Sequence, residues 1–362
     1  MSIAPPSSSS PPESPAATGR GRLGCVAAYL GAAALALTLA EVILRGQWGL
    51  GTPVLYEWDG RFEYRMVPGQ RVTRFGKHIL TNALGLRGPE FGSSKFDPAE
   101  LRVLVLGDSV VNGGSHVDQS ALGTEVLRTL LDRDLARPVT VMNVSANSWG
   151  PPNQLAWLEA NGALDADIAI VVVSTHDAVD VPLHMAEAVA LDGQVYNAPW
   201  CALTEVAGMA WSRLAHGADA PAPDEADTVK RAASTAAFRA MLERLKRDVP
   251  HVLVACHWDR EELAAGAPRA AQSLLVGIAE SLAIPVTQLG PAMLAADASP
   301  TAVLAALRDD SANIFIPTGP VMHDRIHPTE FGQIALGVEL YRTLEKSGWY
   351  ADVINPDAPG SQ

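Results

Sequence analysis

Five short apolar runs, separated by helical patterns, constrain the fold of this chain more than any other feature of its sequence. In chain order the runs are LRVLVLGDS, PVTVMNVSA, ADIAIVVVST, HVLVACHW and IPVTQLG. Such runs are typical of strands buried on both faces, and their alternation with helices indicates right-handed crossovers. The sequence therefore predicts an α/β domain at residues 97–350, with a parallel sheet between two layers of helices.

The segments outside these runs differ in composition. Residues 45–96 are punctuated by Gly and Pro and contain the alternating pieces RVTRF and KHIL, which predict a lead-in region of small strands or a hairpin. Residues 183–228 break the rhythm of strand and helix, and a flexible insertion is expected at 216–227. Residues 351–362 are expected to form a C-terminal tail.

The N-terminus predicts a membrane anchor. Residues 1–22 contain a stretch of almost only Pro, Ser and Ala, which predicts a disordered tail, and residues 23–44 form an apolar run of the length that crosses a bilayer. Arg20 and Arg22 precede the run, although Arg45 follows it. By the positive-inside rule the N-terminus lies in the cytoplasm. The sequence thus predicts a single-pass membrane protein whose large domain is extracytoplasmic.

Three other interpretations of the apolar run stay open. A cleaved signal peptide is compatible with the Ala-rich sequence, although its apolar core is usually shorter. A lipoprotein is less compatible, because Cys25 opens the run instead of following it. A buried helix of a soluble domain is the third interpretation, although an unbroken run of this length is uncommon there.

Charge and cysteine content exclude other classes of protein. The formal net charge is −13, and an acidic surface repels nucleic-acid phosphates, so no nucleic-acid partner is expected. The three cysteines, Cys25, Cys201 and Cys256, are too few for a disulfide scaffold. Cys201 and Cys256 could pair in an exported domain, but free thiols are the expectation.

A candidate nucleophile lies on the turn after the first apolar run, where the sequence reads Gly107-Asp108-Ser109. A serine between a buried strand and a helix exposes its hydroxyl at the carboxyl edge of the sheet, where binding crevices form. Backbone N–H groups at the start of the helix lie beside that hydroxyl. An ordinary helix cap would give the same tripeptide, so this block alone does not establish a nucleophile.

A candidate base and its orienting carboxylate occur near the other end of the chain, in Asp324-Arg325-Ile326-His327. A carboxylate three residues before an imidazole can accept its Nδ1 proton and leave Nε2 facing a serine. A charged pair next to a C-terminal helix is the alternative interpretation. The two blocks together, at opposite ends of one α/β domain, indicate catalysis more strongly than either alone.

These two blocks resemble those of the SGNH (GDSL-type) hydrolase superfamily over residues 101–345. The resemblance implies a flavodoxin-like three-layer fold and the hydrolysis or transfer of acyl groups through an acyl-enzyme. By position it makes Ser109 the nucleophile and the first oxyanion donor, His327 the general base and then acid, and Asp324 its orienter. No cofactor and no metal are expected. Residues 81–88, TNALGLRG, also resemble a region of membrane-anchored bacterial members.

Two middle blocks depart from the family pattern. Where a Gly N–H usually donates to the oxyanion, ungapped spacing gives Ser148, and Gly150 would need a shift of two residues. Where the family has an oxyanion-binding Asn, this chain has His176, whose imidazole N–H could serve instead. An inactive site is one competing interpretation of this block. A metal site of His176, His323 and His327 is another, although their spacing is not that of helical metal ligands.

Three further side chains have both a structural and a functional interpretation. Arg87 is typical of a surface or structural ion pair more than of a substrate clamp. Trp149 and Trp258 could line the mouth of a pocket, but tryptophans of this kind usually lie in the core.

Three functions from different classes remain compatible with the sequence. The first is a serine hydrolase that removes acetyl or other small acyl groups from an extracytoplasmic glycan or small ester. The second is an O-acyltransferase that modifies a polysaccharide, working beside a membrane acyl-donor protein. The third is an inactive glycan-binding scaffold. The first two differ only in whether water or a sugar hydroxyl reaches the acyl-enzyme.

Overall fold

The computed structural model describes residues 19–135, 137–182, 197–216, 227–307 and 319–349. The C-terminal tail, most of the N-terminal tail, and residues 217–226 of the expected insertion lie outside the described residues.

The centre of the molecule is a five-stranded parallel sheet, which confirms the predicted fold class. The strands are β1 (Tyr56–Asp59), β2 (Glu63–Met66), β3 (Arg71–Arg74), β4 (Lys77–Leu80), β5 (Leu101–Gly107), β6 (Val139–Ser145), β7 (Ile168–Val173), β8 (His251–Cys256) and β9 (Val286–Gln288). The sheet order is β6-β5-β7-β8-β9, and β1–β2 and β3–β4 are antiparallel hairpins. All five predicted core strands are present.

Helices pack on both faces of this sheet. In chain order the helices of the described residues are α1 (Gly19–Trp48), α2 (Ser109–Asn112), α3 (Gly123–Asp134), α4 (Pro151–Asn161), α5 (Ala202–His216), α6 (Thr228–Asp248), α7 (Arg260–Ala265), α8 (Ala270–Ser281), α9 (Gly290–Ala298), α10 (Thr301–Leu307) and α11 (Glu330–Ser347). Short 3₁₀ turns occupy Gln119–Ala121 and Thr175–Ala178.

The residues of β5 show why the sheet is buried on both sides. Val103 and Val105 point into one apolar cluster together with side chains of α3, α9 and α11. Leu104 and Leu106 point into a second cluster together with side chains of α4, α6 and α8. Successive strand residues face opposite sides of a sheet, so a continuous apolar run satisfies both layers.

The two hairpins of the lead-in region complete the second apolar cluster. Phe62, Tyr64 and Ile79 are buried in it beside Trp149, whose ring lies edge-on to that of Phe62 with centroids 5.6 Å apart. Trp149 also donates its Nε1 hydrogen to the Tyr64 carbonyl at 3.1 Å. Residues of the lead-in region therefore share a core with the sheet. Trp258 is buried as well, so neither tryptophan lines a pocket mouth.

The N-terminal helix is apolar and exposed. Its segment Gly24–Trp48 is long and apolar enough to cross a membrane by length and composition. The polar end of this helix is joined to α5, because Glu41 accepts hydrogen bonds from the backbone N–H groups of Ala202 at 2.8 Å and Leu203 at 3.1 Å. The ion pair between Arg74 and Glu205 in turn joins β3 of the lead-in region to α5. All three cysteines are free.

Candidate active site

Ser109 lies at the first position of α2, directly after β5. The strand can turn this sharply because Gly107 has no side chain, and a Cβ there would lie 2.4 Å from Cγ2 of Val111. Asp108 caps the helix by accepting the Val110 N–H at 2.8 Å. The helix ends after one turn at Gly113, which adopts a left-handed conformation with φ of 75°. This geometry presents Ser109 at the carboxyl edge of the sheet.

The structure brings Ser109, His327 and Asp324 together. His327 Nε2 lies 2.8 Å from Ser109 Oγ, and His327 Nδ1 lies 2.7 Å from Asp324 Oδ2. The carboxylate also accepts the backbone N–H groups of Ile326 and His327, each at 2.8 Å, which folds the loop around it. With Nδ1–H donated to Asp324, Nε2 is left to accept the serine proton. The first and last blocks of the SGNH pattern thus meet, as the resemblance implies.

The Asp324 carboxylate is held in its charged form. Partial burial alone would raise the pKa of Asp324, but hydrogen bonds from the His327 ring and backbone outweigh it and hold the pKa well below its usual range. An ionised carboxylate at this position stabilises an imidazolium on His327 when that ring takes up a proton.

A second histidine, which the sequence analysis did not single out, contacts the loop that carries His327. His257, at the end of β8, is fully buried and its Nε2 lies 2.9 Å from the Ile326 carbonyl. Burial lowers the pKa of His257, so the ring is neutral and donates Nε2–H to that carbonyl. The signal available in the sequence was its position, since it follows a predicted strand at the edge where the other site residues lie.

Arg87 organises the loop on the other side of the nucleophile. It is almost completely buried and donates to the backbone carbonyls of Asn112 at 2.6 Å, Gly114 at 2.5 Å and Val117 at 2.5 Å. Burial lowers the pKa of Arg87 to about 10. The expectation of a surface or ion-pair residue is therefore wrong, because this guanidinium binds main-chain oxygens of the last residue of α2 and of the loop that follows.

Two of the four candidate oxyanion donors already donate their N–H groups within the protein. Gly150 N–H bonds Asn153 Oδ1 at 3.1 Å. His176 has both ring nitrogens engaged, Nε2 with Asp108 Oδ2 at 2.8 Å and Nδ1 with Ser174 Oγ at 2.6 Å. Among the described residues, no acceptor is recorded for the backbone N–H of Ser109 or of Ser148. The oxyanion roles of those two groups stay predictions.

Other histidines surround His327 without forming the metal site considered from the sequence. His116 stacks on His323 with ring centroids 4.5 Å apart and lies edge-on to His327 at 5.9 Å. Burial, and then the charges of His323 and His327, lower the pKa of His116 to about 4, so it is neutral. His176 instead lies in a compact group with Asp108 and Asp177, whose ligand atoms are within 4.8 Å of one another.

Similarity to known proteins is found among solved structures. No family model and no curated protein matches the sequence. Matching solved structures include Axe2, an acetylxylan esterase from Geobacillus stearothermophilus, at 13% identity and a TM-score of 0.40, covering 69% of this chain and 95% of that one. A lipase/acylhydrolase from Enterococcus faecalis matches at 14% identity and a TM-score of 0.38, covering 68% and 96%. Similarity this low carries no functional assignment, which depends on the side chains of this chain.

Proposed function

We propose that this chain is a serine ester hydrolase of the SGNH type that works through an acyl-enzyme. The observation that carries the proposal is the continuous hydrogen-bonded series from Ser109 Oγ through the His327 ring to Asp324, with distances of 2.8 and 2.7 Å. A serine activated by an adjacent, oriented imidazole is the arrangement that nucleophilic acyl transfer needs.

In the acylation half-reaction, Ser109 Oγ attacks the ester carbonyl carbon and its proton passes to His327 Nε2. The carbonyl oxygen becomes an oxyanion, which the N–H groups of Ser109 and Ser148 would stabilise. The intermediate then expels the alcohol, which takes the proton from His327. Asp324 keeps the ring in the required tautomer and stabilises its transient positive charge.

In the deacylation half-reaction, His327 removes a proton from water as the water attacks the acyl-enzyme. The second tetrahedral intermediate collapses, the proton returns to Ser109 Oγ, and the carboxylic acid leaves. A sugar hydroxyl in place of water would give acyl transfer with the same residues.

We place the reaction on the far side of a membrane from the cytoplasm. The apolar segment Gly24–Trp48 of α1, preceded by Arg20 and Arg22, supports a single-pass anchor with an extracytoplasmic catalytic domain. The proposed substrates are small acyl esters, acetyl esters first, on an extracytoplasmic glycan or a small molecule. This choice depends on the family resemblance of the sequence.

Labelling with a fluorophosphonate probe tests the proposal, together with hydrolysis of p-nitrophenyl acetate. We expect the wild-type chain to label and Ser109→Ala and His327→Ala to lose labelling, because the base creates the nucleophile. Ser115→Ala is the matched control, because Ser115 lies in the turn that follows α2, and this variant should label normally. Labelling of Ser109→Ala at the wild-type level would refute the hydrolase.

A further inference from the structure

A buried hydrogen-bonded series begins at Asp108, the residue before the nucleophile. Asp108 Oδ2 lies 2.8 Å from His176 Nε2, and His176 Nδ1 lies 2.6 Å from Ser174 Oγ. Ser174 Oγ in turn lies 3.0 Å from Asp177 Oδ2, which also accepts the Ser174 N–H at 2.7 Å. The series therefore joins the carboxylate next to Ser109 to a second buried carboxylate.

The count of hydrogens in this series determines the state of His176. When both carboxylates are ionised, Asp108 Oδ2 and Asp177 Oδ2 are acceptors, and Ser174 uses its one hydroxyl hydrogen on Asp177. Ser174 Oγ must then accept a hydrogen from His176 Nδ1, while Nε2 donates to Asp108. A neutral imidazole has only one N–H, so with both carboxylates ionised every contact in the series is a hydrogen bond only when the ring is protonated.

We propose that His176 is a positioning residue, carried as a buried imidazolium, that fixes the turn of Ser109 through Asp108 and does not contact substrate. The proposal deepens the hydrolase function above and rests on it. Asp108 is the link, because its other oxygen accepts the Val110 N–H at 2.8 Å and so caps the helix that begins at Ser109.

The charges around the ring agree with this assignment. Burial alone would lower the pKa of His176, but the hydrogen bond to Asp108 and the charges of Asp177, Asp108 and Asp180 raise it to about 10. Burial, and then the charge of Asp108, raise the pKa of Asp177 to about 7, while His176 holds the pKa of Asp108 down against burial. The neighbouring His257 is neutral, and His327 is the other ring whose charge lowers the pKa of Asp108.

This role gives a physical reason for the His that stands at position 176 in place of the Asn of the family pattern. An Asn at this position would be a neutral amide with no charge to offset Asp108. The imidazolium supplies that charge, and loss of one partner of a buried pair leaves the other uncompensated. His176 and Asp108 should consequently act as one unit, and removal of both should do less damage than the two single changes combined.

A double-mutant cycle on kcat tests this coupling in the full-length chain in detergent micelles. We expect His176→Gln to lower kcat about 100-fold, because Asp108 is left charged and unneutralised, and Asp108→Asn to lower it about 10-fold. The double variant His176→Gln/Asp108→Asn should be at least as active as His176→Gln alone, with KM little changed throughout. A double variant at the product of the two losses, or wild-type kcat in His176→Gln, overturns the proposal.

Glu100→Gln is the matched control, because Glu100 forms a buried ion pair with Arg102 at the opposite end of β5, with an N–O distance of 3.1 Å. Its loss should lower stability without changing kcat of the folded protein. A fall in kcat equal to that of His176→Gln would show that any buried charge in this strand gives the same effect, and would overturn the positioning role.

Nitrogen NMR of the wild-type chain measures the protonation state of the His176 ring directly, so the test does not depend on whether a variant folds. Thr175–His176 is the only Thr-His pair in the sequence, so labelling Thr carbonyl carbon and His nitrogen identifies this residue. At pH 8 we expect both ring nitrogens of His176 to be protonated. A neutral ring at that pH overturns the proposal, whereas absent Ser109 labelling with a protonated His176 would refute the hydrolase function alone.

Discussion

Two aspartate–histidine pairs flank Ser109, and their surroundings differ sharply. In the outer pair, His327 and Asp324 come from one loop and their side chains are 30% and 37% exposed. In the inner pair, His176 and Asp108 come from the ends of different strands and are 14% and 2% exposed. The nitrogen–oxygen distances are nearly equal, 2.7 and 2.8 Å. Hydrogen-bond geometry alone therefore does not distinguish a pair that transfers protons from one that holds a charge.

Access to solvent and to the nucleophile makes the difference. His327 has one ring nitrogen on Ser109 Oγ, so it can take up and release the proton of the reaction. His176 has both nitrogens on protein acceptors and its proton has no reaction partner. The comparison teaches that an imidazole whose two nitrogens are both bound within the protein, beside buried carboxylates, forms a fixed ion pair and not an acid–base pair.

The largest expected effect comes from Asp324→Asn in the outer pair. We expect kcat to fall by about 10³ to 10⁴, because the amide can favour the wrong imidazole tautomer. The melting temperature should change little, since the pair is partly exposed. Steady-state kinetics on p-nitrophenyl acetate measures kcat, and thermal unfolding measures the melting temperature. If Asp324→Asn lowered stability as much as Asp108→Asn does, the distinction between the pairs would be lost.

A smaller effect is expected from His257→Leu, which removes the donor to the Ile326 carbonyl. The His327 loop would lose one support, and kcat should fall about 10-fold with KM unchanged, because misplacement of the base affects the transition state more than binding. His251→Leu, at the other end of β8, is the matched control. Equal kcat in the two leucine variants would show that His257 does not position the loop.

The smallest effect is a difference in the pH dependence of stability. The pKa of His176 is raised to about 10, above its unfolded value, so its contribution is complete below about pH 6.5 and is lost as pH rises through 10. The pKa of Asp324 is lowered, so its contribution is lost as pH falls below its unfolded pKa of about 3.9. The inner pair should thus weaken in alkali and the outer pair in acid.

Thermal unfolding of wild type and His176→Gln between pH 6 and 10.5 measures this. The difference in melting temperature between wild type and His176→Gln should be largest near pH 6.5 and should decrease toward pH 10. A gap that stays constant, or widens in alkali, contradicts a protonated His176.

The sequence predicted those parts that local patterns determine. The five core strands followed from their apolar runs, and the β3–β4 hairpin from its alternation. Asp324 and His327 were predictable together because they lie three residues apart on one loop. The β1–β2 hairpin was missed, although both of its strands, YEWD and EYRM, alternate apolar with charged residues as half-buried strands do.

The inner pair and its supports could not be predicted, since they depend on residues far apart in the chain. His176 and Asp108 are separated by 68 positions, and His257 and Ile326 by 69. The contacts of Arg87 depend on how the lead-in region folds against the sheet. That packing brings the Arg87 guanidinium to the Asn112 carbonyl at the end of α2. Spacing along a sequence carries no information about such contacts until the topology is known.

The links between α1 and the rest of the chain determine how much the catalytic domain can swivel. Gly49 ends the helix, and a Cβ there would lie 1.9 Å from the Thr73 carbonyl oxygen, so the exit turn is pressed against β3. The bonds from Glu41 to α5 hold the same end from another direction. Any rotation of the domain about α1 must break these contacts together. Where α1 crosses a bilayer, these contacts would hold the carboxyl edge of the sheet, and Ser109 with it, at one height and one orientation relative to the membrane surface.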